Sequence, residues 1–98
     1  MWGTIDDKKI SNIKESYCLG EACLIFEYGK EAQRTIAFSK NYDLKKALQF
    51  IKSNDKNFIA EKIGREVHIT HNGIKFIISL VNITHADRFL EVLNNYKK

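Results

Sequence analysis

The chain has 98 residues, 44% of them hydrophobic and 11% aromatic, with a formal net charge of +4. That length allows a single domain with one modest core, and the apolar share is too high for a disordered chain. The richest apolar stretch, residues 74–83, is broken by Lys75, Ser79 and Asn82 and is too short to cross a bilayer, and residues 1–9 lack the pattern of a signal peptide, so a cytoplasmic protein without a membrane role is expected.

Two cysteines, Cys18 and Cys23, are too few for a disulfide scaffold or a zinc site, and reduced, partly buried thiols are expected in their place. Arginine occurs only as Arg34, Arg65 and Arg88, proline is absent, and lysine, isoleucine and asparagine are abundant. AT-rich codons produce this composition, so the basic balance does not by itself imply an anionic ligand.

Residues 2–17 allow two assignments. Ile10, Ile13 and Tyr17 share a face in a short helix, or the segment pairs as a strand on a sheet edge. The next stretch, "EACLIFEYGKEAQRTIAFS", holds two β-rich runs around Gly29, Lys30 and Glu31. A three-residue loop there pairs Phe26 with Arg34, Leu24 with Ile36 and Ala22 with Phe38. Leu24, Phe26, Tyr28, Ile36 and Phe38 then face the core, and Cys23, Ile25, Glu27, Gln33, Thr35, Ala37 and Ser39 face away.

In "NYDLKKALQFIKSN", Leu44, Ala47, Leu48 and Ile51 form the apolar stripe of an amphipathic helix, with Asn41 or Asp43 available to cap its start. Residues 57–62 are harder to assign to an element. Asn72-Gly73, between two β-branched runs, predicts a type I′ hairpin because both central residues need positive φ. His71 is then opposite Ile74, Ile69 opposite Phe76, His68 opposite Ile77 and Val67 opposite Ile78. Val67, Ile69, Phe76, Ile78 and Leu80 make the core face, and Glu66, His68, Thr70, Lys75, Ile77 and Ser79 the other. Residues three apart on a strand point in opposite directions, so His68 and His71 share no metal ion. Neither a metal nor a cofactor is expected. In "THADRFLEVLNNYKK", Ala86, Phe89, Leu90 and Leu93 give a second amphipathic helix, with Thr84 and Asp87 as a capping box and Lys97 and Lys98 at its end.

The two stretches align at a nearly constant offset, Ile36 on Ile78, Phe38 on Leu80 and Leu48 on Leu90. The expected fold is therefore α+β: one domain over 1–98, with a segment 1–21 and two β-hairpin-plus-helix (ββα) units, 22–54 and 58–98, whose strands form an antiparallel sheet with both helices packed on one face.

The sheet face away from the helices is then open, and it carries the candidate binding residues Ile25, Thr35, Glu66, His68, Thr70, Lys75 and Ile77, with Ile25 and Ile77 as apolar anchors. Glu66 and His68 lie two residues apart on it, but no nucleophile, Gly-rich phosphate loop or carboxylate cluster accompanies them, so no enzymatic activity is expected. Lys45, Lys46, Lys52 and Lys56 are the alternative, nucleic-acid-binding face. Interspersed acids and the scarcity of arginine argue against it. The reading that remains is a small protein that binds another protein and neutralises it by occlusion, as immunity proteins of bacterial toxin systems and phage-encoded inhibitors of this size do. The basic balance suggests an acidic partner surface. A homodimer is the other way to bury the same face.

Overall fold

The structure, a computed structural model, describes residues 10–18, 20–30, 32–53 and 55–97, with only the backbone of Cys18 and Lys97. The elements follow in the order β1 (Asn12–Cys18), β2 (Glu21–Tyr28), β3 (Ala32–Ala37), α1 (Asn41–Lys52), β4 (Phe58–Ile63), β5 (Glu66–His71), β6 (Ile74–Ser79) and α2 (Ile83–Lys97). The strands make two three-stranded antiparallel sheets, β1-β2-β3 and β4-β5-β6, so the class is α+β.

Each half thus has one strand more than a ββα unit. Of the two assignments for residues 2–17, the described part takes the strand: β1 pairs along its whole length with β2, from Asn12 opposite Glu27 to Cys18 opposite Glu21. Strand pairing gives every second residue to the core, and Ile13 packs against it while Lys14 stays exposed. Residues 2–9 lie outside the described part, as does Lys98.

Both hairpin registers follow the turn chemistry. Phe26 is opposite Arg34 and Leu24 opposite Ile36, and Phe38 N–H donates to Ala22 O at 2.8 Å. In the second hairpin His71 is opposite Ile74 and His68 opposite Ile77, with φ of 54° at Asn72 and 78° at Gly73. The core rows Leu24, Phe26, Tyr28, Ile36 and Phe38, and Val67, Ile69, Ile78 and Leu80, are buried in one cluster with Leu44, Ala47, Phe50 and Ile51 of α1 and Ala86, Phe89, Val92 and Leu93 of α2. Leu48 and Leu90 are only half-buried.

The helix starts differ from the sequence reading. The residue before α1 is Lys40, which makes no side-chain cap, and neither Asn41 nor Asp43 caps the helix. At α2 the cap is Asn82, whose Oδ1 accepts from His85 N–H at 2.9 Å, in place of the Thr84 and Asp87 box. Asp87 is drawn instead to Lys62 on β4, at 2.6 Å.

The two halves meet where β3 and β6 end. Phe38 and Leu80, aligned by the sequence offset, form an antiparallel bridge. Around it the hydrogen bonds come in matched pairs: Ser39 N–H to Ser79 O at 3.0 Å, and Val81 N–H to Ala37 O at 3.2 Å. Just beyond, Asp43 of α1 accepts from Ser79 N–H at 3.1 Å and His85 of α2 accepts from Ala37 N–H at 3.0 Å. Each helix therefore closes the end of a strand in the other half, which relates the halves by an approximate two-fold axis.

This junction also corrects the reading of Cys23. Its strand position puts it away from the core row, yet both it and its cross-strand partner Ala37 are buried, with Cys23 Sγ 3.4 Å from Glu21 O. The end of β3 is held on its outer edge by Val81 and His85, which encloses the space around Ala37 and Cys23.

One charged strand residue is buried among the described residues. Arg34 is only 8% exposed and reaches Glu91 on α2, with Nε to Oε1 and a terminal nitrogen to Oε1 both at 3.0 Å. The buried Tyr28 hydroxyl lies in the same region, near Arg34, Glu91 and Asn95, and burial pushes its pKa up to about 12. None of the described helices is long and apolar enough to cross a membrane.

Candidate protein-binding face

Strand alternation and the register define nine positions on the side of the second sheet that faces away from the core. In successive rows across β4, β5 and β6 they are Ile59, Thr70 and Lys75; then Glu61, His68 and Ile77; then Ile63, Glu66 and Ser79. His68 is the central residue. Ile59, Ile63 and Ile77 surround it at 69%, 48% and 39% exposure, high values for isoleucine.

The polar side chains in this grid are unevenly engaged. His68 Nε2 lies 3.2 Å from Glu66 Oε1, so the ring presents its Nε2 proton to that carboxylate, while the enclosed Nδ1 has no hydrogen-bond partner among the described residues. Glu61 and Lys75 are exposed, and neither has an ion-pair partner among the described residues.

The first sheet supplies the same nine positions with different chemistry. Placing Ala37 on Ser79, as the junction does, sets Asn12, Glu27 and Gln33 on the first row, Lys14, Ile25 and Thr35 on the second, and Ser16, Cys23 and Ala37 on the third. The three exposed isoleucines of the second sheet correspond to Asn12, Ser16 and Thr35. Here the charges are also paired: Asn12 Nδ2 donates to Glu27 Oε1 at 3.0 Å and Lys14 is 3.5 Å from Glu27 Oε2. The Asn12 bond, followed by the Lys14 charge, holds the Glu27 carboxyl below its ordinary value.

The seven candidate residues consequently fall into two groups. Glu66, His68, Thr70, Lys75 and Ile77 are neighbours in one sheet, and Ile25 and Thr35 are a cross-strand pair in the other. Thr35 and Ile77 leave the Phe38–Leu80 bridge in opposite directions, three residues each, which separates them by about 20 Å along the strands. The two groups do not make one patch. Ile59 and Ile63 are additional members that the sequence reading did not reach, although "I-A-E-K-I" over residues 59–63 does carry a two-residue alternation.

The other sequence candidates are occupied locally. His71 sits on the core side of β5, its Nε2 2.7 Å from Asp55 Oδ2 and its ring 5.4 Å from that of Phe50, away from His68. The backbone N–H of Asn57, then His71, holds the Asp55 carboxyl below its ordinary value. Among the described residues no three His, Cys, Asp or Glu side chains gather as metal ligands would. Lys45 is 3.7 Å from Glu15, Lys46 lies beside Asp43, donates to Ile77 O and covers the Tyr42 ring, and Lys56 covers the Tyr96 ring. Among the described residues, Lys52 is the one of these four lysines that is exposed without such a contact.

No protein-family model, no curated protein and no solved structure matches this chain.

Proposed function

We propose that this chain is a non-enzymatic protein-binding protein that neutralises a partner by occlusion, in the manner of an immunity protein or anti-toxin, and that the outer side of the second sheet is its contact face. One observation carries the choice of face. The two sheets share a register, yet Asn12, Ser16 and Thr35 stand in one where Ile59, Ile63 and Ile77 stand in the other. The first sheet serves as an internal control, because it folds with polar residues at these positions under the same codon bias. A surface with a few exposed apolar residues around a polar centre is what a partner buries. The inhibitory role rests on the small size, the composition and the absence of a recognisable catalytic grouping among the described residues.

Local charge revises the expected partner. The chain totals +4, but the grid holds Glu61, Glu66 and a single Lys75. A complementary surface is apolar with a basic group, in place of the acidic one that the total charge suggests.

The test is affinity capture from lysate of the native host, split into nuclease-treated and untreated halves, with wild type beside the triple variant Ile59→Asn, Ile63→Ser, Ile77→Thr. The expected result is one stoichiometric protein that the wild type retains and the variant loses. Retention by both would refute the contact face, and recovery of nucleic acid alone would refute the protein-binding reading.

A further inference from the structure

β4 is the outer strand of its sheet: among the described residues its only strand neighbour is β5. The outward backbone groups of such a strand are a template for another chain, and proteins usually blunt them with charge, proline or a bulge. β1, the equivalent edge, is blunted in this way. Its outer-face row is Asn12, Lys14 and Ser16, and two of these side chains are tied back to Glu27. β4 has fewer of these devices, with Glu61 as the one charge of its outer-face row. Its pairing with β5 runs without a bulge from Phe58 opposite His71 to Ile63 opposite Glu66, it contains no proline, and its outer-face row is Ile59, Glu61 and Ile63. Lys62, its one basic residue, is directed to Asp87 on α2.

We infer that the outer edge of β4 takes an extended segment of a partner protein whose alternate residues are apolar, basic and apolar. The inference rests on the protein-binding reading and gives it a mode. A strand added at the usual spacing of about 4.8 Å sets its own alternate side chains beside Ile59, Glu61 and Ile63. Apolar residues four apart cover the two isoleucines, and a lysine or arginine midway between them meets Glu61, an exposed carboxylate without an ion-pair partner among the described residues. The same charge disfavours a second copy of this chain. In the two-fold antiparallel register that pairs Ile59 with Ile63, Glu61 faces Glu61.

The experiment pans a displayed library of random peptides of about ten residues, enough to span β4, against the intact protein and measures amide exchange with the selected peptides bound. The expected peptides carry two apolar residues four apart with Lys or Arg midway, slow exchange within β4, and bind Ile59→Asn and Glu61→Lys about tenfold or more weakly. Ile77→Thr, two strands from the edge, leaves their affinity unchanged. Peptides without that pattern, or without protection of β4, overturn the inference. Equal weakening by Ile77→Thr and Ile59→Asn also overturns it, showing docking on the face, and leaves the protein-binding reading intact. A dimer of this chain that excludes the peptides overturns it in favour of self-association.

Discussion

Asp43 and His85 are each the third residue of their helix, and each accepts a hydrogen bond from a strand amide of the other half, Asp43 from Ser79 at 3.1 Å and His85 from Ala37 at 3.0 Å. The same structural need is met once by a carboxylate and once by an imidazole.

His85 accepts through Nδ1, which must be unprotonated. Burial first, then the nearby Arg88, holds its pKa below the ordinary 6.5, with Glu21 opposing. Between the lowered folded value and 6.5 the unfolded chain binds the proton more readily, so this contribution to stability is complete above pH 6.5 and lost as the pH falls below it. Urea unfolding from pH 8 to 5 is expected to show the loss, on the order of 1 kcal/mol for one neutral hydrogen bond. In His85→Asn the amide oxygen accepts at every pH, and that part of the slope should vanish. An unchanged slope would remove His85 from the account.

Asp43→Ala leaves the Ser79 amide without its acceptor and should cost about 1.5–3 kcal/mol, the range for a hydrogen bond to a charged group. Asp43→Asn keeps an acceptor oxygen and should cost less. Urea midpoints separate the two, and equal losses would mean that the negative charge, not the hydrogen bond, matters at the junction.

Glu91→Ala removes the α2 partner of the buried Arg34 side chain and should destabilise the fold by about 1–3 kcal/mol. Arg34→Lys should not restore a wild-type midpoint, because a single ammonium cannot reproduce the two guanidinium contacts to the same carboxylate. A wild-type midpoint in Glu91→Ala would show that this contact contributes nothing, and one in Arg34→Lys that a single ammonium suffices.

Tyr28 makes a contribution to stability that is lost at high pH. Its pKa stands at about 12, against 10.0 for an ordinary tyrosine, chiefly through burial. Here the folded state holds its proton longer than the unfolded one, so stability is complete below pH 10 and declines as the pH rises through 10 towards 12. Tyr28→Phe should flatten this decline in denaturant titrations at high pH.

The triple variant Ile59→Asn, Ile63→Ser, Ile77→Thr gives the second sheet the residues that the first already tolerates. Its thermal midpoint should stay close to wild type, since exposed substitutions usually change stability by about 0.5 kcal/mol or less. Binding of an apolar dye should fall. A large loss of stability would show that these side chains are structural after all.

What the sequence reveals depends on whether the deciding interaction is local. Asn72-Gly73 and the three-residue loop after Tyr28 fix both registers, and with them the opposed directions of His68 and His71. β4 was not legible because "FIAEKI" is apolar on both faces: Phe58 goes to the core and Ile59 to the surface. The two-residue alternation over residues 59–63 puts its isoleucines outward, so it does not mark the buried face. Asp43 has the position of a helix-capping residue but bonds Ser79, a strand residue far away in sequence. The burial of Cys23 likewise depends on contacts made by the other half.

The crossed helix contacts also bear on the order of events during synthesis. When β1, β2, β3 and α1 have left the ribosome, the Ala37 amide still lacks the imidazole that will accept from it, and Asp43 has no strand end to hold. Phe38 likewise waits for Leu80. The first half emerges with its closing contacts encoded in the last fifth of the chain, so its final packing is set only as α2 appears. Folding should consequently be concerted across both halves, and the nascent first half is the species most in need of protection from aggregation.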